Sequence, residues 1–163
     1  MSPAQADVLT PAEAGQGQIC IKAHVAGIGD QPWACNNAHN NETEYAGTIG
    51  QNRAIEGMWV YSTVGIICAD AHVRDKGWQG GRCTAFNGTS VWVGTSGENR
   101  PMEALRLWLP SDEHQVRMAG NAHVQNQGWD KNWTQDYWIE LGTTGRARNL
   151  EAVVVIPVLG IWP

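Results

Sequence analysis

Positive charge is scarce in this chain: 11 Lys and Arg stand against 16 Asp and Glu in 163 residues, a formal net charge of −5. Phosphate binding needs clustered Lys and Arg, so nucleic acid is excluded as an expected partner. Charged residues together make up only 17%, below the about 25% of an average globular chain. No run approaches the ~20 apolar residues that cross a bilayer as a helix, so no membrane span is expected. Residues 1–18 lack the apolar centre of a signal peptide. Either such a leader has been removed or the protein leaves the cell by another route. Sustained 3.6-residue periodicity bounded by caps is missing, which argues against helices. Gly-x-Ser-x-Gly and His-Glu-x-x-His are both absent, so two common hydrolase signatures are lost. No metal-ligand cluster or cofactor motif stands in their place, and neither a metal nor a cofactor is expected.

What the chain has in quantity is glycine (19) and tryptophan (9), against a single Phe. Much of this composition comes from repetition. Asn121-Ala-His-Val-Gln-Asn-Gln-Gly-Trp129 has a second copy in Ala71-His-Val-Arg-Asp-Lys-Gly-Trp78 and a looser one in Ala23-His-Val25 through Trp33. A glycine block follows each: Gly47-Thr-Ile-Gly50, Gly94-Thr-Ser-Gly97 and Gly142-Thr-Thr-Gly145. Each unit closes on an Arg and, three residues later, a Glu: Arg53 and Glu56, Arg100 and Glu103, Arg148 and Glu151. The glutamates recur at intervals of 47 and 48 residues and the histidines at 48 and 51. Self-similarity at a fixed period marks a repeat architecture. The units fall at about 19–62, 65–110 and 116–160, after a Pro- and Gly-bearing segment, residues 1–18, that reads as a flexible leader.

The run Ala-His-Val-Gln-Asn-x-Gly-Trp, followed by Gly-Thr-Thr-Gly and Leu-Glu-Ala, resembles the ChW repeat, a clostridial hydrophobic repeat with a conserved Trp. The likeness extends from about Ile19 to about Ile156 and reads closest in the third unit. The first unit departs at Asp30-Gln-Pro-Trp33, where an insertion separates glycine from tryptophan. The resemblance implies a secreted bacterial protein or a cell-surface attachment module, and it implies no catalytic residue.

Cysteine placement points to the same compartment. Cys20 and Cys35 are 15 apart, as are Cys68 and Cys83, four before and eleven after the unit's histidine. The third unit has Ala119 and Thr134 at those positions. Cysteines that come and go in register as pairs are bonded pairs, so Cys20–Cys35 and Cys68–Cys83 disulfides are predicted, in an oxidising environment. Each closes a loop worth about 3 kcal/mol in the chain-entropy model.

Short alternating segments dominate each unit, so the fold class is all-β. First strands are expected at Ile19–Val25, Ile67–Val73 and the third-unit equivalent, and fourth strands at Ile55–Val60, Met102–Leu109 and Leu150–Ile156. Between Arg82–Phe86 and Thr89–Val93, Asn87-Gly88 suits a type I′ hairpin turn. Three four-strand units leave a pseudo-threefold β-trefoil, the favoured reading, or a β-prism in which each unit is its own sheet. Either leaves few free sheet edges.

His24, His72 and His123 read as internal staples to a turn carbonyl or the unit's glutamate, and each Arg–Glu pair as an ion pair. The glycine blocks read as turns, since a phosphate cradle would need a following helix. Trp33, Trp78 and Trp129 are expected to plug the core. Of the non-repeating tryptophans (Trp59, Trp92, Trp108, Trp133, Trp138 and Trp162), two sit in the third unit's cluster. There Asp130, Asn132, Trp133, Asp136, Tyr137 and Trp138, with His123, Gln125 and Asn126 nearby, have the composition of a sugar site. Aromatic faces stack on a pyranose while carboxylates and amides bond its hydroxyls. Asp130 and Asp136 could pose as a glycosidase pair, but such pairs are common. The expectation is a secreted, non-catalytic protein binding glycan or a cell-surface polymer at up to three repeated sites. The alternative is a protein-binding or inhibitory module presenting Trp-rich loops to a partner.

Overall fold

A computed structural model describes residues 17–38, 43–85, 88–110 and 116–159. Nearly all of the leader, Asn87 of the proposed turn, and Trp162 lie outside the described residues. These form fifteen strands and no helix.

In the first unit β1 (Gln18–Val25) is followed by two short pieces, β2 (Gly29–Asp30) and β3 (Ala34–Asn37). Then come β4 (Tyr45–Gly47) and β5 (Ile55–Ser62). The second unit repeats the series as β6 (Cys68–Val73), β7 (Gly77–Trp78), β8 (Arg82–Cys83), β9 (Ser90–Gly94) and β10 (Met102–Trp108). In the third it is β11 (Val116–Val124), β12 (Gly128–Trp129), β13 (Thr134–Asp136), β14 (Trp138–Gly142) and β15 (Leu150–Leu159). Alternation decides which way each strand faces. On β1, Ile19, Ile21, Ala23 and Val25 are buried, while Lys22 and His24 are only partly covered. The same inward set on β5, β6, β10, β11 and β15 joins it in one apolar core.

Each unit's long first and last strands pair antiparallel: β1 with β5, β6 with β10, β11 with β15. The short pieces line the first strand's other edge. The remaining strand leaves its own unit. β9 joins β5, β14 joins β10, and β4 joins β15. Each unit thus lends one strand to the unit before it, and the first lends to the last.

Three expectations change. Three separate sheets form, and among the described residues no strand pairing closes them into the barrel that a trefoil requires. Nor is each sheet one unit, because of the lent strands. Phe86 and Asn87 lie outside the described residues, and among the described residues β8 and β9 share no ladder, since β8 pairs with β6 and β9 with β5. The Cys68–Cys83 bond holds β8 at home while β9 finds its ladder in the neighbouring sheet. Trp33, Trp78 and Trp129 are half-buried at the outer faces and none belongs to the core.

Both disulfides form as predicted. Cys20–Cys35 and Cys68–Cys83 join directly opposed residues with Cα atoms 4.1 and 3.9 Å apart. In the third unit the opposed pair is Ala119 and Gln135, with Thr134 opposite Gly120. The loop between β12 and β13 is one residue longer there, and the longer loop contains Trp133.

Candidate functional site

The three repeated sequence blocks meet at one junction per unit. Opposite each histidine the ladder skips one residue of the last strand: Glu56, Glu103 or Glu151. This is a β-bulge, which frees a residue from pairing and re-aims it. The freed carboxylate turns to the histidine. His123 Nδ1 lies 3.0 Å from Glu151 Oε1, His72 Nδ1 3.2 Å from Glu103 Oε1, and His24 Nε2 3.8 Å from Glu56 Oε1. The His72 contact is close without hydrogen-bond alignment. His24 instead bonds Asp30, at 2.7 Å. The same glutamates offer their backbone carbonyls to the lent strand: Thr95 N–H donates to Glu56 O (2.9 Å), Thr143 to Glu103 (3.1 Å) and Thr48 to Glu151 (2.9 Å). The preceding glycines, Gly94, Gly142 and Gly47, have φ near +100°, and a Cβ on any of them would collide with that carbonyl.

The expected Arg–Glu pairs are absent as drawn. Arg53 and Arg148 donate Nη1 to the turn carbonyls of Ala26 and Gln125, both at 3.0 Å. Arg100 lies 3.4 Å from the equivalent carbonyl of Arg74. Glu103 takes its arginine from Arg74, at 3.1 Å. A turn carbonyl needs a donor, and the long guanidinium reaches it first. The staples and glycine blocks are therefore framework.

Chemistry that differs between units lies on the outer faces. Two residues before each histidine, one cross-sheet rung runs Lys22–Trp59–Trp92 in the first sheet. The equivalent rung is Asp70–Arg106–Glu140 in the second and Asn121–Val154–Tyr45 in the third. The third rung borders a cavity. There Tyr45, Ile49, Asn121, Trp129, Trp133 and Val154, with Thr43, line a trough of about 400 Å³. Tyr45 and Trp133 are 45% and 47% exposed. Trp129 meets Tyr45 edge-on at 5.9 Å and His123 at 5.4 Å. Beyond Asn121 and Trp129 lies a pocket of about 270 Å³ with Asp130, Lys131, Asn132, Thr134 and Glu140 on its walls. Asn121 sets the loop between the two cavities, its Nδ2 donating to Asp130 O and its Oδ1 accepting from Asp130 N, each at 3.1 Å.

The family model described as Clostridial hydrophobic W (ChW) matches this sequence twice, over residues 24–62 and 72–110. The chain carries two ChW repeats. Neither a curated protein nor a solved structure gives a match. The matches cover the first and second ChW repeats. The third unit, where the likeness reads closest, is not matched; what it shares with the other two is the junction and the strand exchange. Its spacing is altered by the longer loop before β13.

Of the residues singled out on the third unit, Trp133 lines the trough, and Asp130 and Asn132 line the adjoining pocket. His123 supports Trp129 from beside it. Gln125 and Asn126 belong to the turn after β11 and line neither cavity. Gln125 Oε1 accepts the amide of Asn149 (3.1 Å), and Asn126 takes φ +63°. Asp136 caps the amide of Tyr137 (2.7 Å), whose ring lies 5.1 Å from the Arg117 guanidinium. Trp138 is 49% exposed but rides β14 into the second sheet. Strand exchange thus divides the single platform expected from these residues. It also brings in Tyr45 and Ile49 from the first ChW repeat. Their signal was available, since Tyr45 precedes its Gly-Thr block by two residues, as Trp92 and Glu140 do. No three His, Cys, Asp or Glu side chains cluster as metal ligands among the described residues. Among the described residues no helix is long and apolar enough to cross a membrane.

Proposed function

We propose that this protein binds carbohydrate without catalysis, outside the cell, through the aromatic trough of its third sheet. The observation that carries the reading is the union of Tyr45, Trp129 and Trp133 around one open trough, with a polar pocket across Asn121. Exposed rings are costly in water unless a ligand covers them, and a pyranose offers C–H faces to indole and phenol rings and hydroxyls to polar groups. The trough's about 400 Å³ falls within the usual range for small-ligand sites, about 300–1,000 Å³. Two disulfides support an oxidising, extracellular setting. We read the architecture as a strand-exchanged β-prism with pseudo-threefold order, each wall taking one strand from another unit and the three sheets enclosing the shared core. Because the three outer rungs differ, this reading gives one such trough and not three copies.

A glycan array with the purified protein tests this, followed by tryptophan-fluorescence titration of the best sugar against wild type and Trp133→Ala. Binding that survives Trp133→Ala and Tyr45→Ala unchanged would remove the trough from consideration. A second reading, recognition of a protein partner, is favoured by the second sheet. There Arg106 stacks 3.7 Å above the Trp78 ring and 5.3 Å from exposed Trp138. Trp and Arg are over-represented at interface hot spots. A blank array with a partner lost on Trp138→Ala would select it.

A further inference from the structure

The three equivalent outer rungs carry one basic residue that no acid answers. In the second sheet Arg106 is bonded to Glu140 at 2.9 Å. In the third sheet the rung is uncharged. In the first, Lys22 makes no ion pair among the described residues, and its ammonium lies 5.2 Å from the centre of the Trp33 ring. Aromatic side chains surround it. Trp59 is directly opposite Lys22 on β5, and Trp92 is opposite Trp59 on β9. The Trp59 and Trp92 rings lie 5.3 Å apart, tilted by 57°. Trp33 meets Tyr61 edge-on at 4.9 Å. Trp92 is held in place by the missing side chain of Gly57, where a Cβ would collide with the indole. The Tyr61 hydroxyl has no hydrogen-bond partner among the described residues. All five side chains are half-exposed.

We infer that this outer face of the first sheet is a second binding site, specific for a sugar that bears a carboxylate, with Lys22 pairing the carboxylate and Trp59 and Trp92 taking the ring. One cation beside indoles matches a monoanion with an apolar face. A phosphate polymer would call for clustered cations, which this face lacks. A fixed ring also loses less entropy on binding than a mobile one. The inference shares with the proposed trough only the class of ligand. It concerns another sheet and none of the trough's residues.

The test uses trimers of galacturonate, glucuronate and mannuronate, each with its methyl ester as a nearly isosteric neutral control, titrated calorimetrically at low salt. At least one acid should bind tenfold or more tightly than its ester, and the preference should shrink as salt screens the pair. Lys22→Gln should abolish the preference, while Lys22→Arg retains it and Trp133→Ala leaves it untouched. Thermal melting confirms that each variant is folded, and Lys22→Arg reports on the face if Lys22→Gln is not. The inference is overturned if no acid is preferred over its ester, if Lys22→Gln keeps the preference, or if tetraglutamate binds as well as the uronates. Neutral sugars lost only in Trp133→Ala speak to the trough alone, so each site can fail without the other.

Discussion

The backbone amide of Thr48 donates to the carbonyl oxygen of Glu151 at 2.9 Å, and by that bond the first unit is fastened to the last. The same bond recurs as Thr95 to Glu56 and Thr143 to Glu103, so the three units are joined in a ring. Glu151 serves two neighbours, its side chain bonding His123 of its own unit and its carbonyl the strand of another.

Gly47 should therefore tolerate no side chain. Gly47→Ala meets both the Glu151 carbonyl and a φ of +100°, and is expected to cost about 3 kcal/mol, from left-handed backbone strain plus overpacking. Gly50→Ala, at φ +77° with open space around it, should cost only about 1 kcal/mol. Urea unfolding of the two variants checks this, and equal losses would refute the close-approach account.

The histidines should not be equally dear. Glu151 has His123 as its ionic partner, whereas Glu103 also holds Arg74 Nε at 3.1 Å. Leaving a buried acceptor unsatisfied costs about 1–3 kcal/mol. His123→Ala is expected near the top of that range and His72→Ala near the bottom. Thermal denaturation gives the order, and a costlier His72→Ala would show that Arg74 does not compensate.

A third disulfide can be placed by register. Ala119→Cys with Gln135→Cys occupies the opposed pair equivalent to Cys20–Cys35 and Cys68–Cys83. It should oxidise spontaneously and add about 3 kcal/mol in the chain-entropy model. Ala119→Cys with Thr134→Cys, the pair that sequence counting alone suggests, should oxidise more slowly. Thiol titration and non-reducing peptide mapping distinguish them.

Trp133→Ala should leave stability within about 0.5 kcal/mol of wild type, as surface substitutions usually do, because the ring is 47% exposed. Met58→Ala, fully buried in the core, should cost about 2–5 kcal/mol. Chemical denaturation of both gives the comparison. A large loss at Trp133 would make it a packing residue.

Much of this was legible in the residues. Alternation at Ile19–Val25 and its counterparts marked the long strands, and paired appearance of cysteines marked both bonds. The meeting of histidine with glutamate followed from their common period. The lent strand was not legible. Thr89–Val93 alternates in the same way whether its ladder lies in its own unit or the next, and Asn87-Gly88 favours a local ladder, whereas β9 pairs with β5. With the exchange hidden, Tyr45 could not be assigned to the third sheet, nor Trp138 to the second. The missing core role of the tryptophans has a similar cause. Trp78 and Trp129 share parity with the histidines, the outward side of the strand, and Asp30 takes the equivalent place in the first unit.

The order in which a ribosome delivers these strands makes the three exchanges unequal. β9 and β14 emerge to find β5 and β10 already made, but β4 must wait for β15. At about 5–20 residues per second, the roughly 100 residues between them take on the order of 5–20 s. During that time β4 has no ladder partner of its own, while a nascent chain further along the same messenger already offers its β15. Closure of the ring is then a race between a chain's own late strand and its neighbour's, so slow translation should raise the share of strand-swapped dimers seen when the fresh product is sedimented.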